Sequence, residues 1–228
     1  MSAWVPRVLL GIGIVALIAG LISIAVGEGG PGAPEAVGGV NDVQRIIGGI
    51  PQEEDTLGDE DAEVTVSVFN DIQCTDPCAD FQINTVDRLI EDYARTDEAK
   101  LVFRHFAVSG HEISLAAIAA EAAGEQARQW QYIDTFVRNQ EIVPASGVDE
   151  ELLREVAESV ANLELEEWEA AYDDPASEEA ARADADLAAD LQLPGEPAVV
   201  VEGPGGQETL IETPSYEEIA AAIEAVSG

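Results

Sequence analysis

The chain is poor in cations, aromatic rings and thiols. Ten Lys and Arg stand against 46 Asp and Glu, for a formal net charge of −36 over 228 residues, and Lys100 is the single lysine. Phosphate backbones are held through clustered cations, so nucleic acid is excluded as a partner, and anionic lipid headgroups would repel this surface. The plain reading of the charge is a strongly solvated acidic exterior; the alternative is a specific cation-binding role. Aromatic residues make up 5%, so the core drawn from the 46% hydrophobic share must be mostly aliphatic and alanine-rich. Two cysteines, Cys74 and Cys78, with only His105 and His111, give no recognisable zinc spacing, and no metal site is expected. Paired acids carry no information here, because carboxylates this abundant pair by chance.

What is present begins with an apolar run. After "MSAWVPR", with its lone Arg7, residues 8–26 (VLLGIGIVALIAGLISIAV) are 19 in a row without a charge. At helical rise they span about 28 Å, close to the hydrocarbon thickness of a bilayer. A cleaved secretory signal has a shorter apolar centre and a small-residue cleavage site, and no clear site of that kind follows. Residues 1–26 are therefore expected to be an uncleaved single-pass anchor. Arg7 keeps the N-terminus cytoplasmic, which places everything after residue 26 outside the cell membrane. Residues 27–56 follow as a tether, Gly/Pro-rich at "GEGGPGAPEAVGG" and flexible, with one short amphipathic element around Val43 to Ile47.

From residue 57 onward a fold is expected. "VTVSVF" (64–69) is a β-branched strand, and "CTDPC" follows at once. Phe81, Ile83, Val86, Leu89, Ile90 and Tyr93 then keep helical spacing. Asp76 before Pro77 predicts the helix start, with Asp76 as N-cap and proline at the first helical position. "KLVFRHFAV" (100–108) is a second strand. The stretch from about 109 to 193 is helical in pattern, "PGEPAVVVEGPGGQETLIE" gives two strands around a Gly-Pro-Gly-Gly turn, and Ser215 with Glu218 opens a terminal helix as a capping box. The order is β-α-β, a helical block, then β-β-α. Trp130 and Trp168 are expected to pack helices, His105 to be a core or edge histidine, and His111 to cap or lie at the surface.

A pair of cysteines this close can be a redox dithiol, a staple, half a metal site or a coincidence. As a staple it would do little, since a five-residue loop removes almost no chain entropy. Outside the membrane, disulfides form and persist. Redox use is favoured: a strand end presents a thiol near a helix N-terminus, where the macrodipole and free N–H groups stabilise thiolate.

Several separated segments together resemble the DsbA-like branch of the thioredoxin-fold oxidoreductases. "LGDEDAEVTVSVFNDIQC" follows that family's approach to its active site. Phe103, Arg104 and Phe106 match its second strand, and His111 with the alanine-rich helix after it matches the start of its insertion. "QWQYIDTFVRNQ" (129–140) matches a later helix, and Gly-Glu-Pro stands before a strand. The resemblance implies a thioredoxin-like α/β fold over residues 57–228 with a helical insertion at about 109–193. It implies Cys74 as the nucleophile, Cys78 as the resolving thiol and Pro197 as a cis-proline that, with Glu196 before it, meets the substrate. It requires no cofactor beyond the cysteines. The implied partners are cysteine-containing exported proteins and a redox partner at or outside the membrane.

Two departures from that family stand out. Its motif is C-x-x-C, whereas Cys74-Thr75-Asp76-Pro77-Cys78 has one residue more. Proline disfavours helical geometry at the residue before it, so Cys74 is expected on a loop ahead of the helix. Acids also gather there: Asp71 and Asp76 flank Cys74, and Glu196 stands where the family usually has threonine or valine. Carboxylates disfavour thiolate and so favour the disulfide over the dithiol. These departures keep a second reading open, a non-catalytic thioredoxin-like binding module with a local disulfide.

Overall fold

The computed structural model describes residues 36–74, 76–106, 113–143, 147–210 and 213–228. Among the described residues the first regular element is a helix, α1 (Val40–Ile47), and its position revises the tether. Val43, Ile46 and Ile47 recur at the spacing of one helical face and are 3%, 3% and 0% exposed, packed into the main core. Arg95 closes the helix end by donating to the carbonyls of Arg45, Ile46 and Gly48. A two-residue pair, β1 (Gln52–Glu53) and β2 (Thr56–Leu57), then adds to the sheet. Residues 36–56 thus belong to the packed fold, because their apolar stripe is buried. The apolar run 8–26 lies outside the described residues. Among the described residues no helix is long and apolar enough to cross a membrane.

The centre of the sheet is β3 (Thr65–Asn70), parallel to β4 (Lys100–His105) on one side and antiparallel to β5 (Ala198–Gly203) on the other. β6 (Gly206–Leu210) closes the far edge, giving the order β1-β2-β4-β3-β5-β6. Side chains alternate across the strands as the pleat requires. Val66, Val68, Val199 and Val201 face the main core, while Phe69, Ala198 and Val200 face a smaller cluster with Phe106, Ala188 and Leu193. Both faces are covered, so the polar Ser67 and Asn70 of β3 are buried along with its valines and Phe69.

After β3 the chain re-enters helix at α2 (Cys78–Phe81), continues through a π-helical segment Gln82–Val86, α3 (Asp87–Leu89) and a second π-helical segment Ile90–Ala94. The helical insertion comprises α4 (Leu115–Gly124), α5 (Gln129–Val137), a 3-10 turn Gln140–Ile142, α6 (Glu150–Ser159), α7 (Leu165–Tyr172) and α8 (Pro175–Asp190). Trp130 and Trp168 pack helices as expected, fully buried or nearly so, their indole N–H groups donating to the carbonyls of Asp55 (2.8 Å) and Ala119 (2.9 Å). The terminal helix α9 (Tyr216–Val226) opens on the Ser215/Glu218 capping box.

Candidate functional site

Strand β3 ends at Asn70, and the next turn carries the first cysteine into the site. Asp71 builds that turn: its carboxylate accepts from Gln73 N at 2.9 Å and its carbonyl accepts from Cys74 N at 3.1 Å. Ile72 is buried and pins the loop to the core. Cys74 lies on the loop ahead of the helix, and Cys78 is the first residue of α2. The helix start differs from the expected one. Pro77 occupies the N-cap position with no side-chain cap, so Asp76 is one residue too early to serve, and the Asp76–Pro77 bond is cis.

Cys74 and Cys78 are joined in a disulfide with their Cα atoms 5.6 Å apart. The two partners are unequal: Cys78 is 1% exposed, while Cys74 is partly accessible. Asn70 Nδ2 donates to the Cys78 carbonyl at 3.3 Å, tying the strand end to the helix start. The insertion holds the same loop from the other side. Gln140 Nε2 donates to the carbonyls of Ile72 (2.7 Å) and Cys74 (2.9 Å), and Gln73 Oε1 accepts from Ala116 N at the start of α4 (3.2 Å). Asn70 and Gln140 escape a reading of the sequence, because each acts on a carbonyl that only the folded chain brings near. The stretch 129–140 marks the region without singling out its last residue.

The opposite wall is Glu196-Pro197, joined by a cis peptide bond just before Ala198, the partner of Phe69. The Pro197 carbonyl accepts from Thr213 N at 3.2 Å. Glu196 is held by Asp71 N, which donates to its Oε2 at 2.7 Å. One carboxylate oxygen of Glu196 and the two sulfurs all lie within 4.8 Å of one another, so the cysteine pair meets a residue from the far side of the helical insertion. Burial pushes the Glu196 carboxyl up to about 7, helped by the neighbouring Asp71 and opposed by the hydrogen bond from the Asp71 amide. Burial also raises Asp71, against its hydrogen bond from Gln73 and the charge of His105. The set Cys74, Cys78 and Glu196 has the donor chemistry to hold a metal ion once the sulfurs are thiols.

His105 is a core histidine. It is 2% exposed on β4, with Nε2 at 3.2 Å from Glu121 Oε1 and 3.4 Å from Gln129 Nε2, and its amide donates to Asp184 Oδ2 at 3.0 Å. His111 lies outside the described residues.

Comparison with known proteins agrees with this geometry. The thioredoxin family model matches residues 52–225. The Probable disulfide bond formation protein D of Bacillus anthracis is 27% identical over 174 residues, covering 75% of this chain and 77% of that protein. Among solved structures, oxidised BdbD from Bacillus subtilis superposes with a TM-score of 0.63 at 22% identity, over 78% of this chain and 98% of that one. Wolbachia pipientis α-DsbA1 gives a TM-score of 0.62 at 17% identity, over 75% and 89%. The chain belongs to the thioredoxin family.

Proposed function

We propose that this protein is a membrane-anchored thiol-disulfide oxidoreductase that acts outside the cytoplasm on cysteines of exported proteins. The observation that carries the reading is the Cys74–Cys78 disulfide just beyond the end of β3, with Cys74 partly accessible, Cys78 buried and a Glu196 carboxylate oxygen within 4.8 Å of both sulfurs. Kinship with proteins named for disulfide bond formation supports the same chemistry. A substrate thiolate attacks Cys74 Sγ, the S–S bond breaks, and the electron pair leaves on Cys78 as thiolate. The mixed disulfide is then attacked by a second substrate thiol, which releases the oxidised substrate and a dithiol enzyme. Two electrons and two protons have passed from substrate to Cys74 and Cys78. Pro197 and Glu196 form the wall against which a cysteine-containing peptide would lie. The apolar run 8–26 supplies the anchor, and a separate redox partner returns the dithiol to the disulfide.

The buried Cys78 suits the resolving role and the accessible Cys74 the nucleophile. The extra residue and the two acids beside Cys74 favour a second reading, in which the disulfide is local and inert. Thiol trapping of the full chain during titration with a dithiol redox buffer separates them. Reversible two-electron behaviour, with a mixed disulfide accumulating in Cys78→Ser but not in Cys74→Ser, is expected. A disulfide that resists exchange in the native chain would leave the binding module as the better reading.

A further inference from the structure

Among the described residues the wall opposite the cysteines carries two carboxylates that no cation pairs directly. Glu196 and Asp71 are neighbours, each desolvated, and among the described residues neither forms an ion pair with Arg, Lys or His. Elsewhere the fold answers a buried acid with a cation, as Arg104 does for Asp184 and Arg138 for Asp134. At Glu196 the nearby groups are instead two sulfurs, with all three donor atoms inside 4.8 Å. Two thiolates with three residues between them can serve as one half of a zinc site, and the folded chain adds the third ligand that the histidines do not supply, a carboxylate. Calcium and magnesium are poor fits, since they require shells of oxygen. Thiolate donors suit zinc, and the carboxylate distinguishes it from a purely thiolate-bound soft ion.

We propose that the dithiol form of this protein binds one Zn²⁺ through Cys74 Sγ, Cys78 Sγ and the Glu196 carboxylate, with the fourth position open. The site exists only after reduction, because a disulfide offers no thiolate. The dithiol comes from the exchange reaction above, and in that respect the inference rests on the proposed function. Binding moves no electrons: Zn²⁺ displaces the two thiol protons, which leave to solvent. Asp71 acts through its amide, which fixes Glu196 Oε2 and so orients the third ligand. Zinc bound in this way withholds both sulfurs from reoxidation, which makes the redox state of the couple responsive to zinc supply. The sequence places Glu196 at the site but not as a metal ligand, because it lies on the far side of the helical insertion and follows no ligand spacing along the chain.

The test uses the full-length chain, reduced with a phosphine that is then removed. Zn²⁺ is titrated against a chromophoric chelator in excess Mg²⁺, which occupies the surface carboxylates. One Zn²⁺ per chain is expected, with about two protons released per ion in weakly buffered solution. The disulfide form and the Cys74→Ser/Cys78→Ser double variant should show no stoichiometric site. Glu196→Gln should weaken binding by at least about tenfold. Equal affinity in the reduced and disulfide forms overturns the site, as does an unchanged affinity in Glu196→Gln. Because the phosphine makes the dithiol without any protein substrate, absence of a trapped mixed disulfide would defeat the oxidoreductase reading and leave the zinc result standing on its own.

Discussion

Glu196 sets a carboxylate against the reactive pair, and this residue carries the main chemical difference from a neutral active site. With one carboxylate oxygen within 4.8 Å of both sulfurs, its charge opposes the thiolate that exchange requires. A disfavoured thiolate destabilises the dithiol relative to the disulfide and lowers the reduction potential. Glu196→Gln removes the charge while keeping the shape. At about pH 8, above the carboxyl's value of about 7, the variant should lower the Cys74 thiol pKa by about one unit and make the couple about 30 mV more oxidising. Alkylation rate against pH and equilibration with a glutathione buffer read the two quantities. A potential unmoved or more reducing in the variant would defeat this account. At this scale the sequence is informative for Cys74, Cys78, Glu196 and Pro197, because each belongs to a local motif whose order along the chain is diagnostic. It is silent on Asn70 and Gln140, whose amides act on loop carbonyls. Nothing local in "FND" or "RNQ" separates a loop clamp from any other surface amide.

At the scale of elements, the strands and the capped terminal helix are legible because their signals are local: β-branched runs for β3 and β5, and Ser215 with Glu218 for α9. α1 is hidden in Gly-rich surroundings, and β1 and β2, two residues each, are too short to show a period. Ile47→Ala distinguishes a docked helix from a tether. Truncating a side chain with no exposure should cost about 2–5 kcal/mol in urea unfolding, and a change near zero would mean that α1 does not contribute to the core. A second element-level contact joins α3 to α5, where Arg138 pairs with both Asp87 and Asp134. One cation faces two buried acids, so the pair cannot both ionise cheaply. Burial and then the Asp134 charge push Asp87 up to about 7, while Arg138 opposes the rise; Asp134 is raised as well, by burial. A carboxyl raised in the folded state contributes stability that is fully present below the ordinary value of 3.8 and is lost as pH rises through about 7. Asp87→Asn removes this contribution. Urea midpoints should therefore fall less between about pH 5 and about pH 8 in the variant than in the parent. Parallel pH curves would refute a proton held at Asp87.

For the molecule as a whole, the imbalance of 46 acids against 10 Lys and Arg decides how salt acts. Added ions weaken attraction and repulsion alike, so the sign depends on which is more abundant. The attractive side is small, because ten cations can neutralise at most ten acids. Several of the pairs they form, such as Arg154 with Glu158 and Glu169, are about half exposed. Exposed pairs of that kind contribute about 0–1 kcal/mol each. The repulsive side comprises the remaining carboxylates, which folding gathers onto one surface and unfolding disperses. Raising NaCl from about 0.01 M to about 1 M shortens the screening length from about 30 Å to about 3 Å, which removes most of that repulsion. The urea midpoint should rise with NaCl across this range. Urea is the suitable denaturant because guanidinium chloride is itself a salt, and chloride is preferable to sulfate, which strengthens apolar burial independently of charge. A midpoint that falls with NaCl would mean that the ten cations, rather than the excess acids, dominate the electrostatics of the folded state.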